Sequence, residues 1–173
     1  MGKRSDFNRV ERDFYPTPYD AIIPLLPHLD DRALFAEPCC GDGALVEHLR
    51  KHGHHPYWMS DIEPKCELGI KADALVLTVP LQWADCIITN PPWSRDILHP
   101  MIEQFRKQNT TWLLFDADWA HTKQSAPFIP YCSMIVSVGR LKWMPDSKMT
   151  GKDNCCWYRF HKDRADRTVF VGR

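Results

Sequence analysis

The stretch CIITNPPWS, residues 86 to 94, runs from apolar residues into an amide, two prolines and an indole. An aromatic amine is a weak nucleophile because its lone pair is delocalised into the ring. A site that accepts hydrogen bonds from both amine hydrogens favours a pyramidal nitrogen with a localised lone pair. That takes two acceptors at fixed geometry, and the Asn90 side-chain oxygen and the Pro91 carbonyl are the candidates. Pro91 and Pro92 have no backbone N–H, so a strand entering this stretch must stop at Asn90. Pro92 biases Pro91 towards extended backbone, which stiffens the pair. Trp93 offers a face on which a planar base can stack, and Ser94 stands beside it. Acceptors arranged in advance need little reorganisation in the transition state. On these residues alone, an Asn-Pro turn beside a core tryptophan reads equally well.

A second group of residues could hold a small molecule. EPCCGDGALVEHL, residues 37 to 49, reads as strand end, glycine turn and helix. Gly41 and Gly43 would let a ligand approach the backbone closely. A dinucleotide fingerprint wants another small residue three positions on, where Val46 stands, and Asp42 repels a pyrophosphate. Asp61 follows the turn by about the interval of a ribose-binding acid and could accept from two hydroxyls. Asp73 could accept from an adenine amine, and Glu37 could meet the ammonium of an amino acid. Three acids suit a cationic nucleoside without phosphates, a description that S-adenosylmethionine fits and NAD does not. Taken singly, each acid could equally be a helix cap or a loop residue.

These residues need strand ends to hold them. ALFAE (33 to 37), PYWMSD (56 to 61), ADCIITN (84 to 90), TTWLLFDAD (110 to 118), CSMIVSVG (132 to 139) and CCWYRFH (155 to 161) read as strands. GALVEHLRKHG (43 to 53) and RDILHPMIEQFRKQ (95 to 108) read as helices, the second distorted at Pro100. Asp73 is expected at the end of a further short strand. Thr17-Pro18 reads as an N-cap and first helical position, with Ile22, Leu25, Leu26 and Leu29 at helical spacing; Pro24 and Pro27 should shorten that helix. Alternating strands and helices predict an α/β fold: a mostly parallel, Rossmann-like sheet with helices on both faces. The last two strands, joined without a helix, should form an antiparallel hairpin at one edge. Ligands collect at the carboxyl ends of such strands, where Glu37, Asp61 and Asn90 all fall.

The 173 residues suit a single domain, residues 1 to 173. No apolar run is long enough to span a bilayer, and the basic N-terminus lacks the apolar segment of a signal peptide. Seven cysteines without a C-x-x-C spacing disfavour structural zinc and fit a reduced, cytoplasmic protein. HGHH (52 to 55) reads as a solvated loop after Gly53, not a metal site. Formal net charge is zero, which argues against bulk affinity for nucleic acid. The charge is uneven, however: Lys3, Arg4, Arg9 and Arg12 crowd the N-terminus. Arg140, Lys142, Lys148 and Lys152 interleave with Trp143 across residues 139 to 154, a composition shared by nucleic-acid surfaces and plain hairpins. Trp119 is a second candidate for contact with a substrate. Trp112 and Trp157 read as core.

The order FYPTP (14 to 18), EPCCGDG (37 to 43), SDIEP (60 to 64), KADAL (71 to 75) and NPPWS (90 to 94) resembles the class I methyltransferases that modify exocyclic amines, and most of all the small phage and prophage DNA adenine-N6 methyltransferases. DADWAHT (116 to 122) and the segment 139 to 160 are similar to the same group. The resemblance implies S-adenosylmethionine as cofactor. Thr17 would meet the methionine carboxylate with Tyr15 nearby; Glu37, Cys39, Gly41 and Gly43 would surround the methionine. Asp61 and Ile62 would hold the ribose, and Asp73 and Ala74 the adenine. Asn90, Pro91, Pro92 and Trp93 would hold the target base, with Asn90 also facing the cofactor. Ser94, Trp119, Arg140, Lys142, Trp143, Lys148 and Lys152 would contact DNA, from which the base must be flipped. Host cytoplasm is the implied compartment. Cys39-Cys40 departs from the smaller residues usual in the glycine turn, and the chain has no separate target-recognition domain. An RNA adenine or protein-glutamine methyltransferase, or a non-enzymatic nucleic-acid-binding relative, remains open at this point.

Overall fold

A computed structural model describes residues 15–76, 81–144 and 150–173. Its sheet has eight strands: β1 (Leu34–Glu37), β2 (His55–Asp61), β3 (Ile70–Lys71), β4 (Cys86–Thr89), β5 (Thr111–Asp116), β6 (Cys132–Arg140), β7 (Asn154–Phe160) and β8 (Val169–Val171). They lie in the order β3-β2-β1-β4-β5-β7-β6-β8. The strands from β3 to β5 are parallel to one another, whereas β7 runs antiparallel to both β5 and β6.

Alternation along the central strands explains the two-sided core, because successive strand residues point to opposite faces. Ala36, Ile87, Leu113 and Phe115 bury one face against Leu98, Met101, Ile102 and Phe105 of helix α2 (Arg95–Gln108). Phe35, Cys86, Ile88, Trp112 and Leu114 bury the other against Leu45, Val46 and Leu49 of helix α1 (Ala44–Arg50), together with Ala21, Ile22 and Leu25. The expected parallel sheet covered on both faces is therefore present. Trp112 and Trp157 are buried in it as expected.

Three details differ from expectation. The apolar spacing of residues 22 to 29 yields two 3-10 turns, Tyr19–Ala21 and Leu26–His28, in place of a helix, because Pro24 and Pro27 remove the donors an α-helix would use. The Thr17 side chain does not cap the first turn; Pro18 occupies the cap position. The antiparallel pair β6–β7 is present as expected, but an unexpected strand, β8, covers its edge by pairing parallel to β6.

The histidine run is also less solvated than its composition suggests. His54 is only 5% exposed, and the His52 ring stacks on Tyr19, whose hydroxyl contacts His52 Nε2 at 2.9 Å. Among the described residues no cluster of histidine, cysteine and carboxylate side chains could hold a metal ion. No helix there is long and apolar enough to cross a membrane.

Candidate active site

The chain leaves β1 towards β2 on one side and enters β4 on the other, so strand order reverses between β1 and β4. Such a switch point opens a crevice at the carboxyl ends of the strands. Here it is a cavity of about 540 Å³. Glu37 from the end of β1, Asp61 from the end of β2 and Asn90 just past β4 all line it. Tyr15 and Thr17 reach it from the N-terminal segment, and Cys39 and Gly41 from the glycine turn. Ile62, Asp73, Ala74, Pro92 and Ser94 complete the set of expected residues on its wall. Asp73 stands two residues beyond the two-residue strand β3 rather than on its end.

The glycine turn is built for close approach. Gly41 and Gly43 have φ of 50° and 83°, values that side chains disfavour. Gly43 is the N-cap of α1 and does not line the cavity. A Cβ there would stand 3.2 Å from that of Cys66, so this glycine serves the turn and its packing. Asp61 ties the turn to β2: Oδ2 accepts from the Gly41 N–H at 2.9 Å, and Oδ1 accepts from the Glu63 N–H at 2.8 Å. Each oxygen keeps a lone pair for a ligand. Asp61 thus shapes the site as well as lining it, which its spacing alone did not disclose. The Asp73 Oδ1 similarly accepts from the Leu75 N–H at 2.9 Å.

Glu37 is the electrostatic feature of the cavity. It is 1% exposed, and its Oε2 has no hydrogen-bond partner. Burial, reinforced by the nearby Asp61 and Asp42, raises its pKa well above the ordinary carboxylate range. A buried carboxyl group with an unused oxygen, on the wall of a cavity, calls for a donor or a cation in that cavity. Burial also pushes the Cys39 and Cys40 thiols up, so neither is a ready nucleophile.

Asn90 is held at both ends of its amide. Nδ2 donates to Thr17 Oγ1 at 3.2 Å, and Oδ1 accepts from Trp93 Nε1 at 3.4 Å. Pro91 is buried, and neither Pro91 nor Trp93 is on the cavity wall. Trp93 packs edge-on against Trp143, with ring centroids 5.7 Å apart, and Trp143 lies 6.3 Å from Tyr15. The β6–β7 connection therefore abuts the residues around the cavity mouth. Its base is closed by the Gly151 N–H donating to the Leu141 carbonyl at 2.7 Å.

Arg140, Lys142 and Lys152 are exposed on that connection, whereas Lys148 lies outside the described residues. Trp119 is not available to a substrate: it is 3% exposed, packed on Phe115 and Tyr158, and its indole donates to His99 Nε2 at 3.0 Å. The segment 117–121 turns as a 3-10 helix instead of extending β5, and this folds Trp119 into the core. Sequence reasoning did not anticipate Glu63 and Lys65 on the cavity wall, nor Cys40 there with its sulfur 3.7 Å from that of Cys66. The run SDIEPKC held the signal for all but Cys40, since residues straight after a strand-end acid return over the crevice.

Solved structures share this fold. A Pyrococcus horikoshii protein proposed to be an RNA methyltransferase matches with a TM-score of 0.65 at 14% identity, over 91% of this chain and 91% of that one. A Listeria monocytogenes protein proposed to be a class I S-adenosylmethionine-dependent methyltransferase matches with a TM-score of 0.62 at 14% identity, over 96% of this chain and 68% of that one. The methyltransferase subunit of a type I restriction-modification system from Streptococcus thermophilus matches with a TM-score of 0.52 at 13% identity, over 91% of this chain and 47% of that one. At these identities the likeness establishes the fold, which is that of the class I methyltransferases. No family model and no curated protein matches the sequence.

Proposed function

We propose that the protein transfers a methyl group from S-adenosylmethionine to the exocyclic amine of adenine in DNA. The observation that carries this reading is one cavity shared by Glu37, Asp61, Asp73 and Asn90. The three acids suit a cation with a ribose and an adenine, and Asn90 suits an amine. The fit to the cofactor rests on Glu37, whose buried Oε2 lacks a partner that an ammonium group would supply. Asp61 has lone pairs left for ribose hydroxyls, and Asp73, on the same wall, is the acceptor for the adenine amine. S-adenosylmethionine, when bound, supplies an electrophilic methyl on a sulfonium.

The protein's own contribution is to hold and polarise the amine. Asn90 Oδ1 accepts a hydrogen bond from the amine and favours a localised lone pair, so that charge developing on nitrogen during attack meets an acceptor already in place; Pro91 lies off the cavity wall. Asp61 and Asp73 bring acidic groups to the site, and Glu37, whose burial favours the protonated form, becomes charged once a cation is bound beside it. The target base must leave its stack to enter, at a cost of a few kcal/mol. Arg140, Lys142 and Lys152, beside Trp143, are the described groups suited to offset that cost by contacting phosphates.

Labelled methyl transfer to DNA, RNA and protein, followed by nucleoside analysis, tests the proposal. Radiolabel in N6-methyladenine of DNA is the expected result. Label confined to RNA or to protein would reassign the substrate, and no transfer to any of the three would overturn the enzymatic reading. Asn90→Ala should lower single-turnover rates by roughly 100- to 1,000-fold while leaving cofactor affinity nearly intact.

A further inference from the structure

The two ends of the Asn90 amide are not equivalent for an amine substrate: oxygen accepts and nitrogen donates. Its two partners differ in how they read those ends. The Thr17 hydroxyl both donates and accepts, so it would satisfy either end. The Trp93 indole N–H only donates, so it satisfies oxygen alone. Turned over, the amide would set its NH2 against the indole N–H, donor against donor. Pro91 and Pro92 lack the backbone N–H that could do the same work.

From this geometry we infer that Trp93 is a positioning residue whose indole N–H fixes the Asn90 amide with its oxygen as acceptor, the orientation a target amine requires. The inference rests on methyl transfer to an amine as proposed above. Asn90 lines the cavity and Trp93 does not, so the indole holds the amide from behind rather than forming the cavity wall. The ring cannot drift from that place easily. It packs against the cores on both faces of the sheet, and Trp143 meets it edge-on at 80°. The amide oxygen has two lone pairs, of which the indole uses one and leaves one for the amine. A ring that served only for stacking could be any aromatic, whereas this role needs the nitrogen of tryptophan.

Two variants separate the roles. Trp93→Phe keeps an aromatic ring and removes the donor. Replacing Trp93 by 3-benzothienylalanine keeps the two-ring shape as well and removes only the N–H. Both should lower kcat by roughly 2- to 10-fold, the equivalent of one ordinary hydrogen bond, with KM for an adenine-containing oligonucleotide and cofactor affinity unchanged. A rise in KM at constant kcat would make Trp93 a stacking group and overturn the inference, as would wild-type kinetics in the benzothienyl variant.

A readout independent of activity accompanies this. The Trp93 indole ¹H–¹⁵N resonance, assigned by its loss in Trp93→Phe, should move and lose exchange protection in Asn90→Ala. If it stays where it was, the hydrogen bond is absent and the inference falls whatever the substrate. If it moves while the wild-type protein methylates no amine, the proposed reaction fails and takes the positioning role with it, and the hydrogen bond alone stands.

Discussion

Asn90 Nδ2 donates to Thr17 Oγ1 at 3.2 Å, across 73 positions of sequence. The bond joins the N-terminal segment to the loop after β4, two pieces of chain on the wall of the same cavity. Thr17 is 6% exposed, so water competes little for its hydroxyl. Thr17 also lines the cavity, and because its oxygen accepts from Asn90, its hydroxyl proton is left for a carboxylate bound beside it. Under the proposed reaction, cofactor and target sites meet at this one side-chain contact.

Thr17→Val removes the hydroxyl and nearly keeps the shape. One hydrogen bond of ordinary strength contributes about 0.5–1.5 kcal/mol, so kcat/KM should fall roughly 2- to 10-fold. Cofactor affinity should fall as well, because the hydroxyl is shared. Steady-state kinetics and calorimetry on one preparation check both. A loss in kcat/KM with full cofactor affinity would assign Thr17 to Asn90 alone.

Glu37 should make the cofactor-free protein less stable as pH rises. Its folded pKa lies well above the ordinary value of 4.5, with burial the main cause. Between those two values the folded state holds a proton that the unfolded chain has released, so the slope of stability against pH is negative there. A cation in the cavity favours the charged form, so binding should release a proton and tighten as pH rises through the raised pKa. Glu37→Gln should flatten the Tm profile in that window and abolish the proton release. Thermal melts across pH, and calorimetry in two buffers of different ionisation enthalpy, measure the two effects.

The parallel half of the fold was legible because each strand is a short apolar run ending in a polar residue at the crevice. Glu37 and Asp61 were legible for the same reason, whereas Asp73 lies two residues past β3 and not on a strand end. What escaped was set by contacts distant in sequence. Trp119 follows a strand and looked exposed, but Tyr158 and Phe115 draw it inwards. Thr17 had the form of a helix cap, yet Asn90 claims its hydroxyl. Strand β8 is three residues long, and only its pairing with β6 identifies it. The apolar spacing of residues 22 to 29 has a helical period, but the donors missing at Pro24 and Pro27 leave only 3-10 turns.

The connection after β6 should contribute the salt dependence of nucleic-acid binding. Replacing Arg140, Lys142 and Lys152 together with glutamine should lower the slope of log K against log salt. The loss is about 0.9 for each phosphate contact removed on duplex DNA and about 0.7 on a single strand. Cofactor affinity should stay unchanged. Fluorescence anisotropy with duplex and single-stranded oligonucleotides across salt concentrations provides the slopes, and an unaltered slope would turn attention to the basic N-terminus.

Trp157 anchors the segment that carries Thr17. It is fully buried on β7, and its indole donates to the Ala21 carbonyl at 2.7 Å. Trp157→Phe keeps most of the packing but leaves that carbonyl without its partner, which should cost about 1–3 kcal/mol. Trp157→Ala adds a large cavity, and the loss should reach about 3–5 kcal/mol. Urea unfolding at constant m-value gives both figures. Hydrogen exchange adds the local consequence: amides of residues 21 to 26 should lose protection in Trp157→Phe more than those of α2, because the indole bond holds the 3-10 turns against the sheet while α2 packs on the opposite face. Equal loss in both places would mean that the tryptophan supports the whole core and not the N-terminal segment in particular.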